Sequence, residues 1–358
     1  MTPTRAVLLA LLLTGWAYAP VRSASYVYED SNAIEGNPAV NGLEPIQLGR
    51  TRWLSAVSHR LVFTAFGAEA GPTHLVNLGL HLTNGWLVYL IASEVITGWP
   101  AALAAAIFLL HPLQTESVAY AASRSELLAA CFALVALWLS FRADRWWQHL
   151  SLWLCVALAV CAKESAAVVV PILVLTRIYH GRALSHWLLA GLLVPVAAIA
   201  ASVIAFDYRA HSVLPLLPYM ATQMAALWRY LLMVPLPFGQ TIDHDFELLA
   251  MEWRWLAFVL TIGFACLAGF ISLSVLDEHG QRARLWDNAE WLQPAAFGVA
   301  WALIAIGPRF VMRIPETLNE HQLYLSMAGI AMALAPPLVD ALTPLWTHHV
   351  VPRLRFTE

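Results

Sequence analysis

About ten apolar runs, most of them close to the ~20 residues a helix needs to cross a hydrocarbon core, divide this chain and leave no polar stretch long enough for a separate soluble domain. Inside a bilayer every backbone amide must be satisfied by the protein itself, so such runs are read as helices. Hydrophobic residues make up 60% of the 358 and charged residues only 12%, about half the charged share of an ordinary soluble domain. The expected fold class is an all-α polytopic membrane protein forming one domain over residues 1–358, with the lipid bilayer as its medium. A net charge of -3 without a basic or acidic tail gives no sign of nucleic acid, and none is expected as a partner.

The runs fall at 6–21, 74–96, 101–110, 127–141, 149–162, 165–176, 187–206, 255–276, 291–306 and 324–345. A further apolar segment at 219–234, bracketed by Pro215, Pro218, Pro235 and Pro237, reads as re-entrant or interfacial. The first run lies behind Arg5 and before Arg22-Ser-Ala-Ser, so it is a cleaved signal peptide or a retained helix, with retention favoured. Residues 23–72 read as a polar loop. With Arg5 cytoplasmic, the arginine pairs Arg142/Arg145, Arg177/Arg182, Arg282/Arg284 and Arg353/Arg355 share its side. The loops around Arg50, Arg124, Asp243 and Arg313 then face the extracytoplasmic side. Arg124, Lys163, Arg229 and Arg313 are kept there against the usual bias, which points to a buried anionic ligand.

The charged insertion between the runs at 101–110 and 127–141 is the richest in chemistry. It reads His111-Pro-Leu-Gln-Thr-Glu116-Ser-Val-Ala-Tyr-Ala-Ala-Ser-Arg124-Ser-Glu126. Pro112 can hardly continue the preceding helix, so a break at His111 is expected. If the segment after it is helical, Glu116, Tyr120 and Arg124 share a face. The alternative is a structural Glu-Arg pair closing a loop. Glu29 and Asp30 follow the first helix, sheltered by Tyr26 and Tyr28. A partly desolvated carboxylate there suits a general base, and an ordinary loop acid is the plainer reading. Asn77, His81 and Asn84 form a helical stripe, which packs another helix through hydrogen bonds or touches substrate. Lys163-Glu164, the only lysine in the chain beside an acid, is a site or an interfacial turn. Asp243-His244-Asp245 has no defined metal-ligand spacing, so no metal or other cofactor is expected. Glu316 and Glu320 open the last helix, with Arg309 and Arg313 just before. Cys131, Cys155, Cys161 and Cys266 all sit in apolar runs as core residues.

In this order the motifs resemble those of the transmembrane and tetratricopeptide-repeat protein O-mannosyltransferases and their bacterial relatives, in the GT-C glycosyltransferase superfamily. That pattern has an acidic pair followed by Ala-Ile and Asn-Pro, here Glu29-Asp30 to Asn37-Pro38. It continues with His74, Asn77, His81 and Asn84, then His-Pro-x-x-Thr-Glu-x-Val from His111 to Val118, with Arg124 and Glu126 after it. Lys163-Glu164 follows, then Pro237 to Asp245, then Glu320-His-Gln322-Leu-Tyr324-Leu325. The resemblance runs over about residues 26–335. Three departures stand out: Glu29 replaces the first Asp of an Asp-Asp pair, Gln322 replaces an arginine, and the 358 residues hold no tetratricopeptide repeats.

The resemblance implies a GT-C-like bundle of about ten transmembrane helices whose first loop is extracytoplasmic. It implies an inverting transfer of mannose or another hexose from a polyprenyl-phosphate-linked sugar to a hydroxyl of a protein or glycan acceptor. The setting implied is a bacterial inner membrane with the site facing the periplasm. Asp30 or Glu29 would be the base. Arg124 would hold the leaving phosphate, oriented by Glu116 and Glu126, with Lys163 and Arg229 as second choices and His111 bridging sugar or phosphate. Glu164, His244, Glu320 and Tyr324 complete the expected substrate contacts. One cavity is expected to collect Glu29 or Asp30, His111, Glu116, Arg124 and Lys163. The alternative is a non-catalytic membrane subunit, or a transporter of lipid-linked substrate, sharing the fold.

Overall fold

The computed structural model describes residues 1–47, 52–142, 145–184, 191, 215–241, 244, 251–273, 291–312 and 318–345. All regular structure among them is helical. The helices are α1 (Pro3–Ala17), α2 (Pro38–Asn41), α3 (Trp53–Phe66), α4 (Ala70–Val95), α5 (Trp99–Leu110), α6 (Thr115–Ala119), α7 (Arg124–Ser140), α8 (Trp146–Ala162) and α9 (Val169–Tyr179). They continue as α10 (Leu216–Met233), α11 (Met251–Leu273), α12 (Leu292–Ile306), α13 (Pro308–Val311) and α14 (Tyr324–Leu345). The run expected at 187–206 lies outside the described residues.

Four helical segments among the described residues are long and apolar enough to cross a membrane: Pro3–Ser23, Ala70–Val95, Ala121–Ser140 and Glu320–Thr343. Trp99–Leu110 and Pro112–Ala119 pass the same test together but bend by 52° between them. Trp146–Ala162, Trp253–Ala268 and Leu292–Ile306 are shorter apolar helices. With the apolar composition, these make the chain an integral membrane protein.

α4, α5, α7 and α14 form the centre, with α8 and α9 against α7 and α12 against α14. Val88, Ile91, Phe108, Leu127, Leu134, Tyr324 and Met327 fill the core they share. Two glycines set the closest approach: a Cβ on Gly298 would come within 2.5 Å of the Gly329 carbonyl oxygen, and the reverse holds equally. Only hydrogen fits at that crossing of α12 and α14.

The expected break at His111 is present. α5 ends at Leu110, His111 is extended, and Pro112–Gln114 starts a new turn. The segment beyond it differs from the expectation. Instead of one helix aligning Glu116, Tyr120 and Arg124, the chain makes α6, turns at Tyr120 (ψ 115), adds a short turn at Ala121–Ser123 and only then begins α7. The three side chains therefore point independently. The loop expected at 23–72 contains the 14-residue helix α3, whose buried Ser55, His59 and Val62 follow at helical spacing. That face is too polar to register as an apolar run.

Candidate active site

Helix breaks gather at one end of the bundle. Asp30 is buried, and its carboxylate accepts the Ala122 N–H at 2.7 Å and the Val27 N–H at 3.2 Å. It thereby caps the turn that leads into α7, where unpaired amides favour a negative group. Burial pushes the Asp30 carboxyl above the usual carboxylate range, although those two amides pull it down. Glu29, its neighbour, is exposed.

Two residues beyond Ala122, the Arg124 side chain is wholly buried. Its Nε–H goes to the Asn77 side-chain oxygen at 2.9 Å, Nη2 to the Thr73 carbonyl at 2.7 Å and Nη1 to the Ser58 carbonyl at 3.4 Å. All three acceptors are neutral. The Glu116 and Glu126 carboxylates, expected to orient Arg124, reach other partners. Glu116 takes the backbone N–H of His321 at 2.9 Å and its Nδ1–H at 2.6 Å. Glu126 pairs with Lys163 at the end of α8. His59 on α3 also lies close to Arg124; burial, and then that positive charge, hold its imidazole well below its usual value and so neutral.

The turn Glu320–Leu323 before α14 completes the arrangement. Glu320 accepts from Gln240 Nε2 at 2.8 Å, the Thr241 N–H at 3.2 Å and His244 Nε2 at 3.1 Å. Gln240 also gives a hydrogen bond to the Pro112 carbonyl at 3.0 Å. The segment after α10 is thus tied to both the His111 break and the last helix. Val27, Thr115, Glu116, Tyr120, Gln240, Thr241 and Glu320 line a cavity of about 230 Å³ beside Asp30's loop. Asp243 and Asp245 lie outside the described residues.

The remaining expected site residues fall elsewhere. Lys163, Glu126 and Glu164 form a second cluster, in which Arg52 grips Glu164 at 3.0 Å. Burial alone would raise the Glu164 carboxyl, but the charge and hydrogen bond of Arg52, the Lys163 charge and a backbone amide together override it, holding it at about 2. His111 uses both ring nitrogens within the fold, Nε2 donating to the Val234 carbonyl at 2.8 Å and Nδ1 accepting the Leu113 N–H at 3.2 Å. Tyr324 is fully buried in a relay: Asn84 Nδ2 donates to its oxygen at 3.1 Å, its hydroxyl donates to His81 Nδ1 at 2.8 Å, and His81 Nε2 donates to the Leu109 carbonyl at 3.0 Å. The Asn77/His81/Asn84 stripe therefore packs α4 against its neighbours. Arg229 is exposed on α10, its guanidinium beside Gly239. Of the residues expected in one cavity, Glu116 lines it together with Glu320 beside Asp30's loop, Lys163 pairs with Glu126, and His111 and Arg124 spend their side chains on hydrogen bonds within the fold.

Three contributors escaped the sequence reading: His321, Gln240 and Thr241. Each lies inside a quoted motif, and that was the only signal of it. Among the described residues no group of three or more His, Cys, Asp or Glu is arranged to hold a metal.

Curated proteins match parts of this chain. Protein O-mannosyl-transferase Tmtc1 of Drosophila melanogaster is 34% identical over 171 residues, 42% of this chain and 20% of its own length. Protein O-mannosyl-transferase Tmtc2 of the same organism is 31% identical over 151 residues, 37% of the chain and 16% of its length. Protein O-mannosyl-transferase F38B6.6 of Caenorhabditis elegans is 26% identical over 189 residues, 47% of the chain and 27% of its length. No family model and no solved structure matches. The chain is thus similar, at the distance of remote homologues, to proteins named protein O-mannosyl-transferases, and it spans between 16% and 27% of their length.

Proposed function

We propose that this chain is a membrane glycosyltransferase that moves a hexose, mannose by analogy with its relatives' names, from a polyprenyl-phosphate carrier to a hydroxyl of a protein Ser/Thr or other acceptor. The observation that carries this reading is the Asp30 carboxyl: buried, raised above its ordinary pKa, and held by two backbone amides beside a cavity lined by Glu116 and Glu320. A carboxylate offers about four lone-pair positions, so it keeps capacity to accept after those bonds. The similarity to proteins named O-mannosyl-transferases supports the same class.

In this mechanism the acceptor oxygen attacks the anomeric carbon from the face opposite the phosphate. The new C–O bond forms as the sugar–phosphate bond breaks, and inversion follows from the single displacement. The hydroxyl proton passes to Asp30, whose raised pKa brings it nearer to working pH. The leaving lipid phosphate gains charge and needs fixed positive groups close by. Glu116, Glu320, Gln240 and Thr241 offer the acceptors and donors that sugar hydroxyls require. The whole of 1–358 acts as one transmembrane domain, with this end of the bundle on the extracytoplasmic face of a bacterial inner membrane.

The test is incubation of the purified chain with radiolabelled polyprenyl-phosphate sugars and membrane extracts. Transfer by the parent and its loss in Asp30→Asn support the reading. A parent that transfers no sugar from any such donor sinks it and favours a non-catalytic subunit of the same fold.

A further inference from the structure

On the other side of the Glu320–Leu323 turn lies a cation with nothing to hold. Arg309 is 4% exposed, and its Nε, Nη1 and Nη2 are all buried without a hydrogen-bond partner among the described residues. A guanidinium stripped of water and left without hydrogen-bond acceptors is among the costliest groups a protein can carry. It cannot escape the cost by giving up its proton.

Arg309 lines a small cavity with Gln322, Glu126, Ser165, Ala129 and Leu325. The one carboxylate there, Glu126, is already paired with Lys163 behind the lining, so the three groups together carry one net positive charge. Gln322 spends one amide N–H on His321 Nε2 at 3.2 Å and has a second to give. The space is about 30 Å³, room for roughly two waters. That admits one or two oxygens of an anion whose remaining atoms sit outside the cavity, and it excludes a hexose ring. Alanine and leucine side chains in the same lining suit an apolar chain attached to such a head.

We infer that Arg309 and Gln322 form an oxyanion site that takes a phosphate group, either the head of a lipid phosphate or free phosphate. The assignment to a lipid carrier rests on the proposed function; the anion site itself does not. It also differs from the sequence reading, which gave the phosphate to Arg124. Arg124 spends its guanidinium on neutral acceptors within the fold, whereas Arg309 keeps its donors for a ligand.

The experiment measures thermal unfolding and ³¹P line broadening of the full chain in detergent, with inorganic phosphate or a short-chain isoprenyl monophosphate as probe. The parent should unfold at a higher temperature with probe present, and Arg309→Met should weaken that binding by about tenfold or more, as for loss of a charge-assisted contact. Without probe, Arg309→Met should unfold no earlier than the parent, because it removes an unpaired buried charge. Gln322→Glu places a carboxylate opposite Arg309 and should abolish binding with Arg309 untouched. Response to the isoprenyl phosphate alone identifies a lipid head; response to both shows that free phosphate suffices. A parent indifferent to both probes overturns the site, as does an Arg309→Met variant that is less stable without probe and still binds. A parent that binds phosphate yet transfers no sugar keeps this site and loses the transferase reading. One that transfers while binding neither probe does the reverse.

Discussion

Arg124 gives its Nε–H to the side-chain oxygen of Asn77 at 2.9 Å, 47 residues away in the chain and wholly inside the protein. With the Thr73 and Ser58 carbonyls on its other nitrogens, this guanidinium joins α7, α4 and α3. Arg124→Met should therefore leave Asn77 Oδ1 and the Thr73 carbonyl without their donor, and each buried orphan costs about 1–3 kcal/mol. Thermal unfolding in detergent checks this. Unchanged stability would return Arg124 to a purely ligand-facing role.

Asp30 sets the pH dependence of the proposed transfer. A base must be ionised, so the rate should rise with pH through a value above the ~3.9 of an ordinary aspartate, because burial raises this one. The folded chain also binds that proton more tightly than the unfolded one. Stability should accordingly decline as pH climbs from the ordinary value through the raised one. Asp30→Asn should lower transfer by about 10²-fold or more, while Glu29→Gln, at an exposed position, should behave nearly as the parent. A pH–rate profile for the three proteins decides between the two acids.

Glu164 works in the opposite sense. Its carboxyl is held at about 2 by Arg52 and Lys163 together despite burial, so its contribution is complete above the ordinary ~4.3 of a glutamate and is lost as pH falls toward 2. Glu164→Gln should flatten acid unfolding in that window and lower stability at neutral pH, where the pair's contribution is fully present. Tryptophan fluorescence against pH would read it.

Tyr324→Phe removes the middle of the Asn84–Tyr324–His81 relay and leaves the buried His81 Nδ1 without a partner, while Asn84 Nδ2 keeps the Leu127 carbonyl at 3.0 Å. A loss of about 1–3 kcal/mol is expected. Transfer per folded molecule should stay at the parent's level, since the hydroxyl faces α4. A large specific loss of transfer with stability intact would instead put Tyr324 in contact with substrate.

What the sequence revealed followed from local physics. Pro112 after His111 forces a helix end wherever it stands, and the structure breaks there. Asn77, His81 and Asn84 show their common face by spacing alone, and their role in joining helices follows from apolar surroundings. Glu116 and His321 lie 205 residues apart, and no local rule pairs them. Likewise Arg124 and Arg309 look alike in sequence, each an arginine at a helix start. Only packing shows that one has acceptors all round and the other has none among the described residues. The helix α3 stayed hidden because its buried face carries Ser55 and His59 in place of aliphatic residues.

The Asn84–Tyr324–His81–Leu109 relay also has a direction. It begins at a side-chain amide, which does not readily surrender a proton, and ends on a peptide carbonyl, which does not readily take one. Protons cannot hop through it without an ion forming at one of those two ends. A row of hydroxyl and imidazole groups through apolar helices would ordinarily invite leakage. Closed in this way, it lends the bundle polar cohesion while keeping it an insulator.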